Sequence, residues 1–314
     1  MLRRTARVSI LLWQIALLWQ IAGVDAVASS APLPMEQIAS GVYVHHGVTE
    51  EAAPANDDAI ANIGFIVGGA AVLVIDPGGS AVEGMQLREA IRAITDRPIR
   101  YVVLTHVHPD HIFGAAAFND DRPKFIGHAK LPGALAQRGD YYLRGLRRAL
   151  GDAAKGSEIL APTRLVESAT EIDLGDRLVE IRAHGPAHTD NDLTVFDRQT
   201  STLWMADLLF VERVPAIDGS VVGWLRELDQ LKTLTAQRAV PGHGPVAVAW
   251  PAAIEPELRY LRAVLDGTRA AIRQGIDIGE AWRSVAVDER ARWGLFEEYH
   301  ARNVTTAYKE LEWE

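Results

Sequence analysis

The chain of 314 residues contains no cysteine. It therefore has no disulfide bond, no lipid-modified N-terminal cysteine and no thiolate that could act as a nucleophile or a metal ligand. A chain of this length can bury enough apolar surface to be stable without cross-links. Catalysis would therefore rest on histidine, carboxylates and bound metal.

Positive charge is also scarce, because 32 Lys and Arg residues stand against 41 Asp and Glu residues, for a formal net charge of −9. Nucleic-acid-binding domains carry basic surfaces that neutralise phosphates, so this balance argues against nucleic acid as a partner. The sequence after its N-terminal segment also lacks repeats, charge blocks and low-complexity linkers. That organisation is typical of a single domain.

The N-terminal segment has the pattern of a signal peptide. Arg3-Arg4 precedes an apolar stretch over residues 8–24, and Ala26-Val27-Ala28 forms a small-residue cleavage site. The apolar stretch is short for a membrane span, and two glutamines interrupt it. We therefore predict that residues 1–28 are removed, by the Sec or the twin-arginine route, and that residues 29–314 form one periplasmic or secreted domain. No stable membrane insertion is expected after cleavage.

Metal-competent side chains are concentrated in one short segment, which reads Thr105-His106-Val107-His108-Pro109-Asp110-His111. It follows a strand-like apolar run, and alternate residues of an extended chain point the same way, so His106 and His108 can share one metal ion. Asp110 suits the start of a helix that we predict over residues 112–118. Asp110 and His111 therefore point elsewhere, which favours a second ion.

Three later segments each place a ligand-capable residue where a strand-like run passes into a loop. They are Gly185-Pro186-Ala187-His188-Thr189, Trp204-Met205-Ala206-Asp207 and Val240-Pro241-Gly242-His243-Gly244-Pro245. Loops on a rigid scaffold are where sites are built, and glycine lets the backbone fold closely around an ion. These segments are the candidate sources of the remaining ligands.

Taken in order, His-x-His-x-Asp-His, Pro-Ala-His-Thr, Met-Ala-Asp-Leu and Pro-Gly-His-Gly resemble the motifs of the metallo-β-lactamase-fold hydrolases, over about residues 36–250. The resemblance implies an α/β fold, an αββα four-layer sandwich, with residues 251–314 as a helical C-terminal extension. It also implies two zinc ions per chain. The implied ligands are His106, His108 and His188 for the first zinc and Asp110, His111 and His243 for the second, with Asp207 bridging both.

The same comparison favours zinc over iron. Iron-preferring flavodiiron relatives have a glutamate at the position of His108, whereas this chain offers a nitrogen-rich ligand set. Ala187 replaces the glycine that is usual in Pro-Gly-His-Thr, a small departure that leaves the ligand His188 in place.

Further segments support a narrower resemblance. They are Asn62-Ile-Gly-Phe-Ile-Val, Phe210-Val-Glu-Arg-Val-Pro-Ala, Tyr299-His-Ala-Arg-Asn-Val-Thr-Thr-Ala-Tyr and the final Glu-Leu-Glu-Trp-Glu. They are similar to segments of the exported zinc metallohydrolases called quinoprotein relay system proteins. Those proteins are associated with periplasmic quinoprotein alcohol dehydrogenase systems, which the resemblance implies as a partner besides a small-molecule substrate.

The implied reaction is hydrolysis of an ester, thioester, lactone or amide by water that two zinc ions ionise, since even one zinc lowers the pKa of its water to about 7. Asp110 is the candidate catalytic residue, which would return a proton to the leaving group. Many β-lactamases of this fold have Cys or Ser in the ligand region of Asp207, whereas hydroxyacylglutathione hydrolases use a bridging Asp. We therefore expect a β-lactam to be a poorer substrate.

Two other functions fit the same motifs. A mononuclear iron sulfur dioxygenase shares His-x-His-x-Asp-His, and a metal count combined with an activity assay would separate it from a dizinc hydrolase. A non-catalytic, metal-binding accessory protein of a quinoprotein system would hold metal without turning over any acyl substrate.

Several other polar residues are candidates for supporting roles. Asp76 follows an apolar strand and either orients a ligand imidazole or caps a turn. His184 lies four residues before His188 and is a candidate to support a metal ligand. Asn191 and His300 are candidate substrate contacts.

The periodicity of the chain predicts alternating strands and helices. Strands are expected at residues 42–44, 63–67, 71–75 and 99–104 and within 164–209, and helices at 82–95, 131–150, 222–235 and 251–274 and from 278 onward. This order suggests two packed sheets with helices outside them.

Overall fold

Two β-sheets form the centre of residues 31–314, which are the residues that this computed structural model describes. The first sheet contains, in spatial order, β1 (Glu36–Ala39), β2 (Val42–His45), β3 (Ile63–Val67), β4 (Val72–Ile75), β5 (Ile99–Leu104), β6 (Lys124–His128) and β7 (Arg164–Val166). The second contains β8 (Ala169–Asp173), β9 (Leu178–Ala183), β10 (Leu193–Asp197), β11 (Thr202–Phe210), β12 (Arg238–His243) and β13 (Val248–Ala249). The predicted signal peptide lies outside the described residues.

Helices cover the outer face of each sheet. They are α1 (Ala81–Ile94), α2 (Pro109–Ile112), α3 (Leu131–Leu150), α4 (Val221–Leu231), α5 (Glu255–Arg273), α6 (Ile278–Ala281) and α7 (Phe296–Leu311). Apolar side chains of α1 and α3 pack with the first sheet, and those of α4, α5 and α7 pack with the second. No helix of the described range combines the length and hydropathy of a membrane span.

A third apolar core lies between the two sheets. Leu73 and Val103 of the first sheet share it with Ile181, Val195 and Trp204 of the second. All residues of β4 and of β11 are buried, because each of these strands contributes side chains both to this core and to a helix-covered face. The layers are therefore helices, sheet, sheet and helices, which confirms the predicted αββα sandwich and its helical C-terminal extension.

Parallel strands bring the motif-bearing segments to one edge. In the first sheet β4, β5 and β6 run parallel, and in the second sheet β11 and β12 run parallel. The carboxyl ends of parallel strands lie at the same edge of a sheet. The loop after β5 and the end of β12 can therefore meet across the sandwich.

The predicted helix over residues 112–118 is wrong. The chain forms the one-turn helix α2 from Pro109 and then a 3₁₀ segment, Ala115–Asp121. Proline suits the first helical position because it has no N–H to leave unpaired there and its φ is already helical. Gly114 separates the two turns at a point where a Cβ would collide with the Pro77 carbonyl oxygen. Asp110 therefore lies inside the first turn rather than before it.

The second sheet also departs from expectation at the ligand segments. Asp207 does not end a strand, since β11 continues to Phe210, and His243 is the last residue of β12 rather than part of a loop. Around both positions the strands continue through buried residues, which are all of β11 and residues 239–243 of β12.

Candidate metal centre

The structure brings all seven predicted metal ligands together in two adjoining groups. One group contains His106, His108, His188 and Asp207, and the other contains Asp110, His111 and His243. Within each group the candidate ligand atoms lie within 4.8 Å of one another. Their assignment to zinc stays a prediction, but the spatial convergence that such a site needs is present.

The backbone conformation that directs each ligand side chain into the cluster differs from segment to segment. His106 and His108 lie in and just after a bend that follows β5, and α2 carries Asp110 and His111 back across the cluster. His108 precedes a proline and has extended backbone angles, φ −72° and ψ 148°, as residues before proline prefer.

Asp207 reaches the cluster because β11 is irregular. Its pairing with β12 shifts register on both sides of Ala206, which has a φ of +45°. Such a bulge re-aims the neighbouring side chain. Gly242 on β12 completes the fit, because a Cβ there would occupy the place of the Asp207 carboxylate.

One buried carboxylate orients two of the imidazoles. Asp76 Oδ2 accepts a hydrogen bond from His111 Nδ1 at 2.8 Å and another from the Thr105 hydroxyl at 2.8 Å. The Thr105 oxygen in turn lies 3.0 Å from His106 Nδ1 and accepts from it. The Nε2 atoms of both rings then carry lone pairs that face the cluster. Of the two roles considered for Asp76, imidazole orientation is therefore the one that the structure supports.

The other three rings are held in the same way by more distant parts of the chain. His188 Nδ1 donates to the Ala216 carbonyl at 2.6 Å, and His243 Nδ1 donates to the Ile60 carbonyl at 2.9 Å. His108 is reversed, since its Nε2 lies 3.2 Å from Asp218 Oδ2 and its Nδ1 faces the cluster. Partners of this kind fix the tautomer and orientation of metal-binding histidines.

The cluster-facing atoms fit a cation. The Nε2 atoms of His106 and His111 and Oδ1 of Asp207 are buried and make no hydrogen bond. His188 Nε2 lies 2.8 Å from His108 Nδ1, and both atoms present lone pairs once the opposite nitrogens donate. Lone pairs facing each other at that distance need a shared positive charge. A nitrogen-rich set with carboxylate oxygen is one that zinc accepts.

The electrostatics of the cluster point the same way. Burial lowers the pKa of His188 to about 3 and, with help from His111, lowers that of His106, so both rings are neutral at pH 7, as metal ligands must be. Against the effect of burial, Asp207, Asp110 and Asp76 raise the pKa of His111. These three carboxylates therefore require a positive charge, which a metal ion or a proton supplies.

A cavity of about 300 Å³ opens onto this cluster. His108, Asp110, His188, Asp207 and His243 contribute to its lining. Its apolar walls come from Tyr141, Tyr142, Leu146 and Ala149 of α3 and from Phe210 at the end of β11. The size suits a small molecule rather than a polymer segment.

The remaining predicted residues lie elsewhere. His184 is bonded to Glu227 and Thr194 rather than to His188. Asn191 is buried and its amide donates to Asp190, and neither Asn191 nor His300 lines the cavity. His300 instead lies in the core, where its Nε2 donates to the Val285 carbonyl and its Nδ1 accepts from the Tyr260 hydroxyl.

Sequence reasoning missed several residues that shape the site. Asn62 donates from its side chain to the carbonyls of Pro241 and Gly244 and so holds the segment around His243. Arg213 and Tyr299 line the cavity. All three residues lie in the segments that carry the narrower resemblance, but none belongs to a ligand motif, so their contacts become evident only from the spatial arrangement.

Comparison with known proteins agrees with this architecture. The sequence model of the Metallo-beta-lactamase superfamily matches residues 56–243. The chain is 23% identical over 226 residues to a linear primary-alkylsulfatase from Pseudomonas sp. (strain ATCC 19151), which covers 61% of this chain and 42% of that protein. It is 25% identical over 179 residues to the beta-lactamase-like protein 2 homolog of Caenorhabditis elegans, covering 57% of this chain and 54% of that one. The chain thus spans about half the length of the curated relatives it matches.

A solved structure extends the likeness of the fold. The stereoselective inverting sec-alkylsulfatase Pisa1 from Pseudomonas sp. superposes with a TM-score of 0.68 at 16% identity, over 89% of this chain and 50% of that one. The narrower resemblance to quinoprotein relay proteins stays a prediction. Because the family match spans more than half of the chain and the fold and the side-chain cluster agree with it, the protein belongs to the metallo-beta-lactamase superfamily, whose members are mostly metal-dependent hydrolases.

Proposed function

We propose that the protein is a dizinc hydrolase that cleaves an ester, thioester or lactone of a small molecule. The observation that carries the proposal is the arrangement of seven ligand-type side chains in two groups at a cavity, with the outward nitrogen of every imidazole held by an oxygen acceptor. A degenerate site would not retain both groups together with the partners that orient them.

In this proposal the two groups divide the metals between them. His106, His108 and His188 would hold the first ion, and Asp110, His111 and His243 the second. Asp207 would contact both, because its carboxylate lies 3.0 Å from His111 Nε2 and 3.3 Å from His188 Nε2. When bound, zinc lowers the pKa of water to about 7 and polarises a carbonyl oxygen as a Lewis acid.

The protein itself would contribute proton handling and exclusion of water. Asp110 lines the cavity and lies 3.4 Å from His243 Nε2. In this proposal its carboxylate would carry a proton toward the leaving group. The ring of Tyr142 lies 6.0 Å from that of His108 and forms an apolar wall beside the first group. That wall would cover the acyl portion of a bound substrate.

The preference for an ester or thioester over a β-lactam rests on Asp207. An aspartate at this position resembles the bridging residue of hydroxyacylglutathione hydrolases rather than the Cys or Ser of many β-lactamases. Export, and service to a periplasmic quinoprotein dehydrogenase system, belong to the same proposal. They rest on the pattern of residues 1–28 and on the segments similar to quinoprotein relay proteins.

A sulfate ester is a second candidate substrate. It is favoured by the alkylsulfatase named above, which aligns with 61% of this chain, and by Arg148, Arg213 and Arg302 around the cavity. An alkyl sulfate would place its anionic group among these cations and its chain against the wall formed by α3.

One substrate panel tests the proposal. The zinc-loaded protein is assayed for kcat/KM on an aryl ester, a thioester, a lactone, a penicillin and a primary alkyl sulfate of similar size. The proposal predicts the largest value for one of the first three. A larger value for the alkyl sulfate would replace the acyl substrate by the second candidate. A larger value for the penicillin, or no turnover with any compound, would contradict both.

A further inference from the structure

Arg213 is a buried cation at the cavity. Only 4% of its surface is exposed, although it lies in the segment that leaves β11 and crosses the face of the site. That segment is fixed to the tail of the chain, since the Val214 N–H donates to the Gly294 carbonyl at 3.0 Å and the Gly294 N–H donates to the Glu212 carbonyl at 2.7 Å. The guanidinium is therefore held in place and is not a mobile surface group.

The ring nitrogen nearest to the Arg213 guanidinium cannot accept a hydrogen bond from it. Arg213 Nη1 lies 3.1 Å from His243 Nδ1. In the tautomer that leaves His243 Nε2 free for a metal, Nδ1 carries a proton and donates to the Ile60 carbonyl. That nitrogen then has no lone pair to accept from the guanidinium, so the N–H of Nη1 has no acceptor within the described residues.

The other neighbours leave the positive charge largely unmatched. Arg213 Nη2 donates to the Tyr299 hydroxyl at 2.8 Å, and that hydroxyl is neutral. The carboxylate of Glu51 lies 3.8 Å away and is 55% exposed, so water solvates it. A buried guanidinium whose carboxylate neighbour is largely solvated and lies 3.8 Å away is poorly compensated, and its Nη1 can therefore donate to a bound anion.

The C-terminal helix completes this corner of the cavity. The Tyr299 ring lies 5.1 Å from the Arg213 guanidinium carbon, so the ring face and the hydroxyl both orient the cation. Arg302, one turn later on α7 and 53% exposed, lies at the rim, where it pairs with Asp218 at 3.2 Å. Tyr299 and Arg302 lie outside residues 56–243, the part that matches the superfamily.

We propose that Arg213, oriented by Tyr299, binds a carboxylate at the far end of the substrate's acyl chain, so that the substrate is an anionic half-ester or thioester of a short dicarboxylic acid. This inference rests on the proposed function, because it assumes that the adjoining metal cluster engages the scissile group. A guanidinium presents its N–H groups in a fork that matches a carboxylate, which a neutral acyl chain cannot use. The apolar wall of Tyr142 and Leu146 would contact the methylene groups between the two ends.

The test compares two esters that differ only at the end of the acyl chain, monophenyl glutarate and phenyl pentanoate, with the uncatalysed rate subtracted. The zinc-loaded protein is expected to prefer the glutarate ester by at least about tenfold in kcat/KM, the size of one good charged hydrogen bond. Arg213→Met should abolish the preference by raising KM for the glutarate ester, so the readout is the ratio of the two kcat/KM values measured on the same variant and not either value alone. Tyr299→Phe should reduce the preference partly.

Lys309→Met is the matched control, since it removes one positive charge from an exposed position on the same helix. It should keep the full preference. Zinc content is measured for every variant, so that loss of metal is not read as loss of the subsite. Equal rates for the two esters in the unaltered protein, or a preference that survives Arg213→Met, would overturn the inference without touching the dizinc assignment.

If neither ester is hydrolysed, the proposed acyl hydrolysis fails for this pair. Calorimetric measurement of glutarate and pentanoate binding to the same zinc-loaded proteins then tests the carboxylate subsite separately. Glutarate and pentanoate share one carboxylate that the metal cluster can engage, and only glutarate has a second. Tighter binding of glutarate that disappears in Arg213→Met supports the subsite. Equal affinities in the unaltered protein contradict it.

Discussion

Asp207 is the residue on which both ligand groups depend. Its two oxygens lie between 3.0 and 3.7 Å from the Nε2 atoms of four imidazoles, those of His106, His111, His188 and His243. Against the effect of burial, His111, His243 and His106 hold the pKa of Asp207 well below its usual range. The carboxylate is therefore ionised, and it would hold metal ions from both groups in the proposed site.

Removing this carboxylate should weaken metal binding at the second ligand group. We expect Asp207→Ala to lose most of the second zinc and to reduce turnover at least about tenfold, since even partners that only orient a ligand are worth about 10–100-fold. Zinc per chain and kcat are the measurements. Asp152→Ala, which removes an exposed carboxylate that does not line the cavity, is the control. Unchanged zinc and rate in Asp207→Ala would reduce Asp207 to a structural residue of β11.

Asp76 permits a finer substitution. Its φ of +54° is one that asparagine tolerates, so Asp76→Asn should preserve the turn and the bond that Oδ1 accepts from the Thr105 N–H. The amide nitrogen, however, cannot accept from His111 Nδ1. We expect affinity for the second zinc to fall about 10–100-fold in chelator competition. Affinity equal to that of the unaltered protein would mean that this bond does not tune the ligand.

The histidine motif was enough to predict that His106 and His108 share a metal site. The groups that orient the other imidazoles were harder to predict. Alternation along an extended segment follows from local geometry, which is why His106 and His108 could be paired from the sequence. The partners of His188 and His243 are the carbonyls of Ala216 and Ile60, and any residue type supplies a carbonyl. No pattern in the sequence can mark such a partner.

At the scale of the element, α7 stabilises the segment that orients His188 of the first ligand group. Asn303 is buried, and its amide donates to the Pro215 carbonyl at 2.6 Å while its oxygen accepts from the Ile217 N–H at 2.9 Å. These bonds flank Ala216, whose carbonyl holds His188. The predicted helical extension therefore takes part in the site instead of being an appendage to the core.

Asn303→Ala should weaken the attachment of residues 215–217 to α7. Leaving a buried N–H and a carbonyl unsatisfied costs about 1–3 kcal/mol each, so the free energy of unfolding should fall by a few kcal/mol and zinc should leave the first group faster. Denaturant unfolding and the rate of zinc transfer to a chelator are the readouts. Thr305→Ala, which removes a hydroxyl bonded only within α7, serves as the control. A variant with lower stability but an unaltered zinc release rate would show that α7 stabilises the fold without supporting the site.

Element boundaries show where local patterns failed. The sequence motif correctly predicted a turn into a helix near Asp110, but the position of the helix depended on Pro109 and on the contact of Gly114 with the Pro77 carbonyl. The bulge at Ala206 depends on register with β12, which is set by tertiary packing. Contacts between distant segments therefore decided both differences.

At the scale of the whole molecule, the sandwich assembles one cluster from both sheets. The first sheet supplies the ligands that follow β5, and the second supplies Asp207, His243 and the loop that carries His188. The alternation of strands and helices was enough to predict two packed sheets, because buried strands and amphipathic helices have few compact arrangements. The convergence of the motifs was predicted only through family resemblance.

The central claim is that this cluster holds two zinc ions that support hydrolysis. The most direct test is elemental analysis of the purified protein during titration with zinc, with hydrolysis of the preferred ester or thioester followed in parallel. We expect about two zinc per chain at saturation, with activity that rises as the sites fill. A single tightly held iron per chain, together with zinc that cannot support activity, would contradict it.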